Sequence, residues 1–239
     1  MKYCKLLLMI LALQLINETA YTQVVEKGFE MMELLKISEV YRQVPDISFQ
    51  VHYTYTDSIK PSEILEELDG SYKIHNGKFW AMLDSVEYVQ GNLYNLTIYH
   101  QDSTIAIGNR QEYRNVLQAP LMDSLFREAN VQSMQVGQLD GATRILKMRF
   151  KPESSYSYYE LQYDRNSYLI RKVKFYMREP SEEKPGSGTH CISIEFSNYS
   201  DAMISDEYFR EDKFIFQKGK EFLTQPAFNG YQLLVNIAQ

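Results

Sequence analysis

From Ile47 onward the chain alternates. Ile47, Phe49, Val51, Tyr53 and Tyr55 are apolar or aromatic, and Ser48, Gln50, His52 and Thr54 between them are polar. A period of two puts the first set on one face of an extended strand and the second on the other, which is the pattern of a half-buried strand in an antiparallel sheet. The pattern returns between turn signals. Residues 64–76 read as a second strand, and Asn76-Gly77 is a two-residue hairpin turn because both turn positions favour positive φ. Segments 78–83, 86–89, 93–100 and 104–109 continue the series, so this half of the chain is predicted to be an antiparallel meander. Further strands are predicted over 132–139 and 143–150, joined at Asp140-Gly141, and over 156–163, 168–177 and 190–199. Short terminal strands are expected at 214–216 and 231–237. The chain carries 19 Tyr and 12 Phe, side chains that suit a pleated, half-buried surface.

Two segments break the alternation. Residues 24–44 place Val25, Phe29, Met32, Leu35, Ile37, Val40 and Tyr41 at helical spacing, and Pro45 ends the run by pushing Val44 out of the helical region. Residues 120–129 (PLMDSLFREA) read as a short mid-chain helix on Leu121, Met122, Leu125 and Phe126. Residues 179–189 (EPSEEKPGSGT) are the most loop-like stretch. No repeat or linker divides the chain, so residues 24–239 are expected to form a single domain.

The first 23 residues read as an export signal. Two lysines precede the apolar run 6–13 (LLLMILAL), and Ala20 and Thr22 stand where a signal-peptide cleavage site needs small residues. The run is about half the roughly 20 residues that span a bilayer. Removal of this segment would take Cys4 with it and leave Cys191 as the only thiol, so no internal disulfide is expected. The expected location is periplasmic or outer-membrane-associated, with no membrane span after processing.

Charge and motifs narrow the functional classes. There are 25 Lys+Arg against 31 Asp+Glu, a formal charge of −6. A nucleic-acid partner needs a concentrated basic face and is not expected. His52, His75, His100 and His190 lie in different predicted strands, with no helix-borne metal spacing among them. Cys191 has no neighbouring cysteine and reads as a buried, inert thiol. No nucleophile elbow, phosphate loop or dinucleotide fingerprint is present. No cofactor, metal or catalytic residue is therefore assigned.

The aromatic supply can be read as an ordinary core or as the lining of a cavity for an apolar ligand. By strand parity and size the candidate lining is Phe49, Val51 and Tyr53 in the first strand and Phe79 in the third. Leu146, Met148, Phe150, Phe175 and Phe196 supply the later strands.

Two stretches resemble a known family. Residues 70–83 (GSYKIHNGKFWAML) and 192–209 (ISIEFSNYSDAMISDEYF), in the order helix, meander, helical excursion and late strand, are similar to the LolA/LppX-like lipoprotein-carrier superfamily. The resemblance implies a β-rich α+β fold. Its centre would be an incomplete antiparallel barrel, or half-barrel, with the N-terminal and mid-chain helices on the concave side, holding acyl chains. The leading expectation is thus a non-catalytic binding or carrier protein for a lipid or other apolar ligand. A structural or protein-interaction module of an envelope complex is the alternative. An enzyme would require a histidine and an acid brought together in one pocket.

Overall fold

The computed structural model describes residues 28–57, 63–110, 131–178 and 189–237. The expected signal segment, the mid-chain helix at 120–129 and most of the loop at 179–189 lie outside the described residues.

The first element is helix α1 (Phe29–Gln43), which stops at Val44 in an extended conformation, as the following proline requires. Strands β1 (Asp46–Asp57), β2 (Ile64–His75), β3 (Lys78–Leu83), β4 (Val86–Gln90), β5 (Tyr94–Tyr99) and β6 (Thr104–Asn109) form the predicted meander. The β2–β3 hairpin turns at Asn76 and Gly77, with φ of 46° and 77°. After the break come β7 (Val131–Gln138), β8 (Thr143–Phe150), β9 (Tyr156–Asp164), β10 (Ile170–Arg178) and β11 (Thr189–Ser200). Short strands β12 (Ile215–Lys218), β13 (Glu221–Thr224) and β14 (Gln232–Asn236) end the chain.

One 12-stranded sheet runs in the order β14-β6-β5-β4-β3-β2-β1-β11-β10-β9-β8-β7. The two meanders meet where β1 pairs antiparallel with β11. The sheet is open, with β7 at one edge and β14 at the other. The fold is therefore the β-rich, incomplete-barrel arrangement expected from the sequence, with the N-terminal helix packed on one face. Two details differ from that expectation. Strand β14 pairs parallel with β6, and β12 with β13 forms a separate two-stranded sheet. Alternation alone does not specify strand direction or sheet membership.

Helix α1 buries Leu34, Ile37 and Tyr41 and leaves Met31, Met32 and Leu35 at 44%, 55% and 62% exposure. Apolar spacing along this helix thus fits two stripes, and the sheet takes the one containing Leu34 rather than the one containing Met32 and Leu35. Leu34, Ile37 and Tyr41 join one core with Ile47, Phe49, Val51, Ile74, Leu146, Met148 and Leu161. A second core comprises Val89, Leu96, Ile98, Ile105 and Ile107 under Phe214 and Ile215.

The register shows that these two cores lie on opposite faces of one sheet. Phe49 aligns with Tyr72, Tyr72 with Ala81 and Ala81 with Tyr88, so these residues share the helix face. Val89, Leu96 and Ile107 align with one another one residue out of step, on the other face. The helix covers the β1, β2 and β8–β11 part of the sheet on one side. The C-terminal segment covers β4–β6 on the other. Its attachment is specific: Glu211 Oε1 accepts backbone N–H bonds from Leu93 at 2.8 Å and Tyr94 at 2.7 Å. Gly91 permits the close approach, since a Cβ there would stand 2.5 Å from the carbonyl oxygen of Phe209.

Candidate functional site

Covering each half of the sheet on a different side leaves the helix face of β3–β6 without a covering element among the described residues, and β2 joins that face to the core under α1. Its positions follow from the register. They are Leu68, Gly70, Tyr72 and Ile74 on β2, and Phe79, Ala81 and Leu83 on β3. Val86, Tyr88 and Gln90 stand on β4, and Asn95, Thr97 and Tyr99 on β5. Thr104, Ala106 and Gly108 follow on β6, with Gln232, Leu234 and Asn236 on β14. Glu66, opposite Tyr55, also stands on this face; from Leu68 to Leu234 the face holds no carboxylate, amine, guanidinium or imidazole. The opposite face of the helix-covered half differs: Lys147 faces Glu160, Lys174 faces Glu160 and Lys172 pairs with Glu195 at 2.5 Å. A face that excludes charge over several strands suits an apolar ligand, because a charge placed there has no partner to offset its lost hydration.

All the sequence-selected lining residues fall on the helix face and belong to one cluster. Phe49, Val51, Leu146, Met148, Phe150 and Phe175 are buried in it, and Tyr53, Phe79 and Phe196 are half-buried against it. Aromatic contacts run along it: Phe49 stacks on Tyr72 with ring centroids 5.2 Å apart, and Phe196 and Tyr199 lie 5.7 and 5.3 Å from Phe49. Sequence parity missed Tyr72, Tyr88 and Tyr99 as members of this face. The Phe49-to-Tyr72 register that reveals them depends on a strand pairing absent from any single strand's pattern.

The tyrosines supply the polar groups. The Tyr53 and Tyr72 hydroxyls are hydrogen-bonded at 2.9 Å. Burial pushes the Tyr53 hydroxyl above its ordinary pKa. Burial, then the neighbouring Tyr53 and Tyr88, pushes Tyr72 up further. Tyr88 is raised by burial and by Tyr99. These groups stay neutral and keep their protons at physiological pH.

Two further features adjoin this face. A cleft of about 400 Å³ opens at the C-terminal end of α1, lined by Val40, Val44, Ile47, Leu169 and Tyr199 with Ser167, Ser200 and Asp201. None of the sequence-selected residues lines it. Near the other end of α1, Glu33 is fully buried. Its Oε2 accepts from Arg144 Nη1 at 2.6 Å and from the Tyr163 hydroxyl at 2.7 Å, and its Oε1 accepts from Lys36 Nζ at 3.0 Å. Burial alone would raise the Glu33 pKa, but the bonds from Tyr163, Lys36 and Arg144 outweigh it and hold the carboxyl below its ordinary value.

His52, His75 and His100 pair with acids, each at a separate place. His52 sits between Asp69 at 2.8 Å and Glu67 at 3.0 Å on the solvent side of β1 and β2. His75 bonds Asp46 at 2.7 Å, and the same Asp46 oxygen accepts the Ile204 N–H at 3.0 Å. His100 meets Glu87 at 3.1 Å, and Glu87 also accepts from Trp80 Nε1 at 2.7 Å. The second bonds at Asp46 and Glu87 tie backbone and core side chains together, which is a structural use. Cys191 is buried. Among the described residues no group of three or more His, Cys, Asp or Glu is placed to hold a metal ion. No described helix is long and apolar enough to cross a membrane.

No family model and no curated protein matches the chain. Several solved structures are similar to it. The lipoprotein LppX from Mycobacterium tuberculosis is 12% identical, over 75% of this chain and 99% of that one, with a TM-score of 0.41. A LolA superfamily protein from Nitrosomonas europaea is 10% identical, over 77% and 98%, with a TM-score of 0.38. MucB, solved in complex with MucA(peri), is 15% identical over 82% of this chain and 62% of its own, with a TM-score of 0.36. The distant resemblance to LolA/LppX-like proteins read from the sequence is found again among solved structures. Similarity of this depth carries no ligand or residue role across.

Proposed function

We propose that this chain is an exported, envelope-associated binding or carrier protein for a lipid or other apolar ligand, and that it performs no covalent chemistry. The observation that supports this most is the helix face of β3–β6, free of charged side chains and continuous through Phe49 and Tyr72 with the core under α1. In this reading the half-buried Tyr53, Phe79 and Phe196 contact the ligand. The buried Phe49, Val51, Leu146, Met148, Phe150 and Phe175 form the wall behind them. Native mass spectrometry of the protein, purified from its own envelope without detergent and then extracted with organic solvent, tests the proposal. A lipid-sized adduct lost on extraction supports it. A bare mass that persists after incubation with envelope lipids overturns it. A protein-interaction module is the second reading. Its support is the outer edge of β14, where Leu234 and Val235 are 49% and 52% exposed. An edge strand with apolar side chains is a ready template for an added strand.

A further inference from the structure

The hydroxyl pairs of this protein differ in how their protons are used. Tyr41 and Tyr199 are 2.6 Å apart, and Tyr199 donates onward to the carbonyl of Ile170 at 2.7 Å. Tyr41 therefore donates to Tyr199, and its oxygen accepts the Ile170 N–H at 3.0 Å. Both protons are spent. Tyr53 and Tyr72 also form a pair, at 2.9 Å. That bond uses one proton, and the second has no acceptor among the described residues. Burial keeps both hydroxyls protonated, so the second O–H is a standing donor. A half-buried donor without an acceptor forfeits part of its hydration and gains from any acceptor that reaches it. On the same face its neighbours Val51, Leu68, Gly70, Ala81 and Tyr88 are uncharged, and the charged side chain next along β2, Glu66 opposite Tyr55, is itself an anion.

We propose that the Tyr53–Tyr72 pair is the polar fixing point for an uncharged acyl ester or amide, whose carbonyl oxygen accepts the free hydroxyl proton while its hydrocarbon chain lies on the helix face of β2–β6. This rests on the reading of that face as a lipid site and narrows it to a ligand class. A bare hydrocarbon satisfies the face but leaves the donor unmet. A carboxylate or phosphate satisfies the donor but brings a charge with no counter-charge on this face, at a large desolvation cost.

The test compares monoolein, oleate at pH 8, dioleoyl phosphatidate and 1-octadecene as probes, read by native mass spectrometry of the full chain and of Tyr53→Phe/Tyr72→Phe. Phenylalanine keeps the ring stacked on Phe49, and matching thermal transitions confirm that the variant folds. The wild type should take up monoolein and 1-octadecene, with monoolein preferred roughly three- to tenfold, the worth of one net hydrogen bond. Oleate and phosphatidate should bind at least about tenfold more weakly than monoolein. The variant should lose the preference for monoolein and keep its uptake of 1-octadecene. Equal or better binding of the anions, or an unchanged preference in the variant, overturns this inference and leaves the lipid reading standing. Uptake of none of the probes, as when the face is covered by the chain's own residues, overturns both.

Discussion

Substituting Arg144 by Leu should destabilise the protein by more than substituting Glu33 and Arg144 together. The Glu33 side chain is 0% exposed and Arg144 24% exposed, with 2.6 Å between them. Breaking a buried ion pair by deleting one partner costs about 3–5 kcal/mol, because a buried charge is left behind. Here the stranded carboxylate keeps Tyr163 and Lys36 as donors, and Arg144 is partly solvated. The expected loss is therefore smaller, about 2–3 kcal/mol. Leucine at both positions removes the stranded charge but also the acceptor of the buried Tyr163 hydroxyl, so the double variant should lose about 1–2 kcal/mol, less than Arg144→Leu alone. Urea denaturation with a constant slope measures all the terms of the cycle. The pH dependence follows from the Glu33 shift. Its folded pKa lies below the ordinary value of 4.5, so the stability it contributes is fully present above that pH and is lost as pH falls through the folded pKa. The penalty of Arg144→Leu should therefore be largest at neutral pH and shrink on acidification below about pH 4.5. A penalty equal at pH 7 and pH 3.5, or a double variant costing the sum of the singles, would refute the argument.

Two further outcomes check the architecture. Gly91→Ala places a methyl group 2.5 Å from the Phe209 carbonyl oxygen and should cost about 1–3 kcal/mol by overpacking. Gly141→Ala meets nothing within 4 Å and should be nearly silent in the same melting assay. Cys191 is 7% exposed, so its peptide should resist alkylation in buffer and label fully in denaturant; rapid labelling of the folded protein would contradict its place in the sheet.

Much of the sheet was legible because alternation is a local property. The predicted strand at 143–150 coincides with β8, and the Asn76-Gly77 turn stands where its conformational demand placed it. The lining selected by parity also falls on one face, since inward residues on neighbouring antiparallel strands align in rows. What was not legible is what depends on distant pairing. In β4 and β5 the apolar residues divide between the two faces: Val86 and Tyr88 stand on one, Val89, Leu96 and Ile98 on the other. Only the C-terminal segment, more than a hundred residues further along the chain, decides which set is covered. The burial of Glu33 on α1 was not legible for the same reason. Its burial is determined by Arg144 and Tyr163, which lie on strands formed much later in the chain.

That exchange of covered faces has a functional consequence. An antiparallel sheet needs only one face packed to be stable, and this sheet meets the requirement with the helix on one half and the C-terminal segment on the other. The helix face of β4–β6 is thereby released from core packing. If it served only as a solvated surface, the alternation of β3–β6 would place Lys, Glu or Asp there, as it does on the solvent side of β8–β11, where Lys147, Glu160, Lys174 and Glu195 stand. Instead the corresponding positions hold Tyr72, Ala81, Tyr88, Thr97 and Ala106 in one continuous row. Along β4–β6 this row belongs to neither described core and carries no charge, and its neutral side chains, Tyr88, Thr97 and Ala106 among them, are matched by a ligand that is itself uncharged. A single charge introduced at its centre, such as Thr97→Lys, should leave folding nearly intact, since Thr97 is half-buried, while abolishing uptake of neutral lipid. Uptake unchanged in that variant would remove the row from the site.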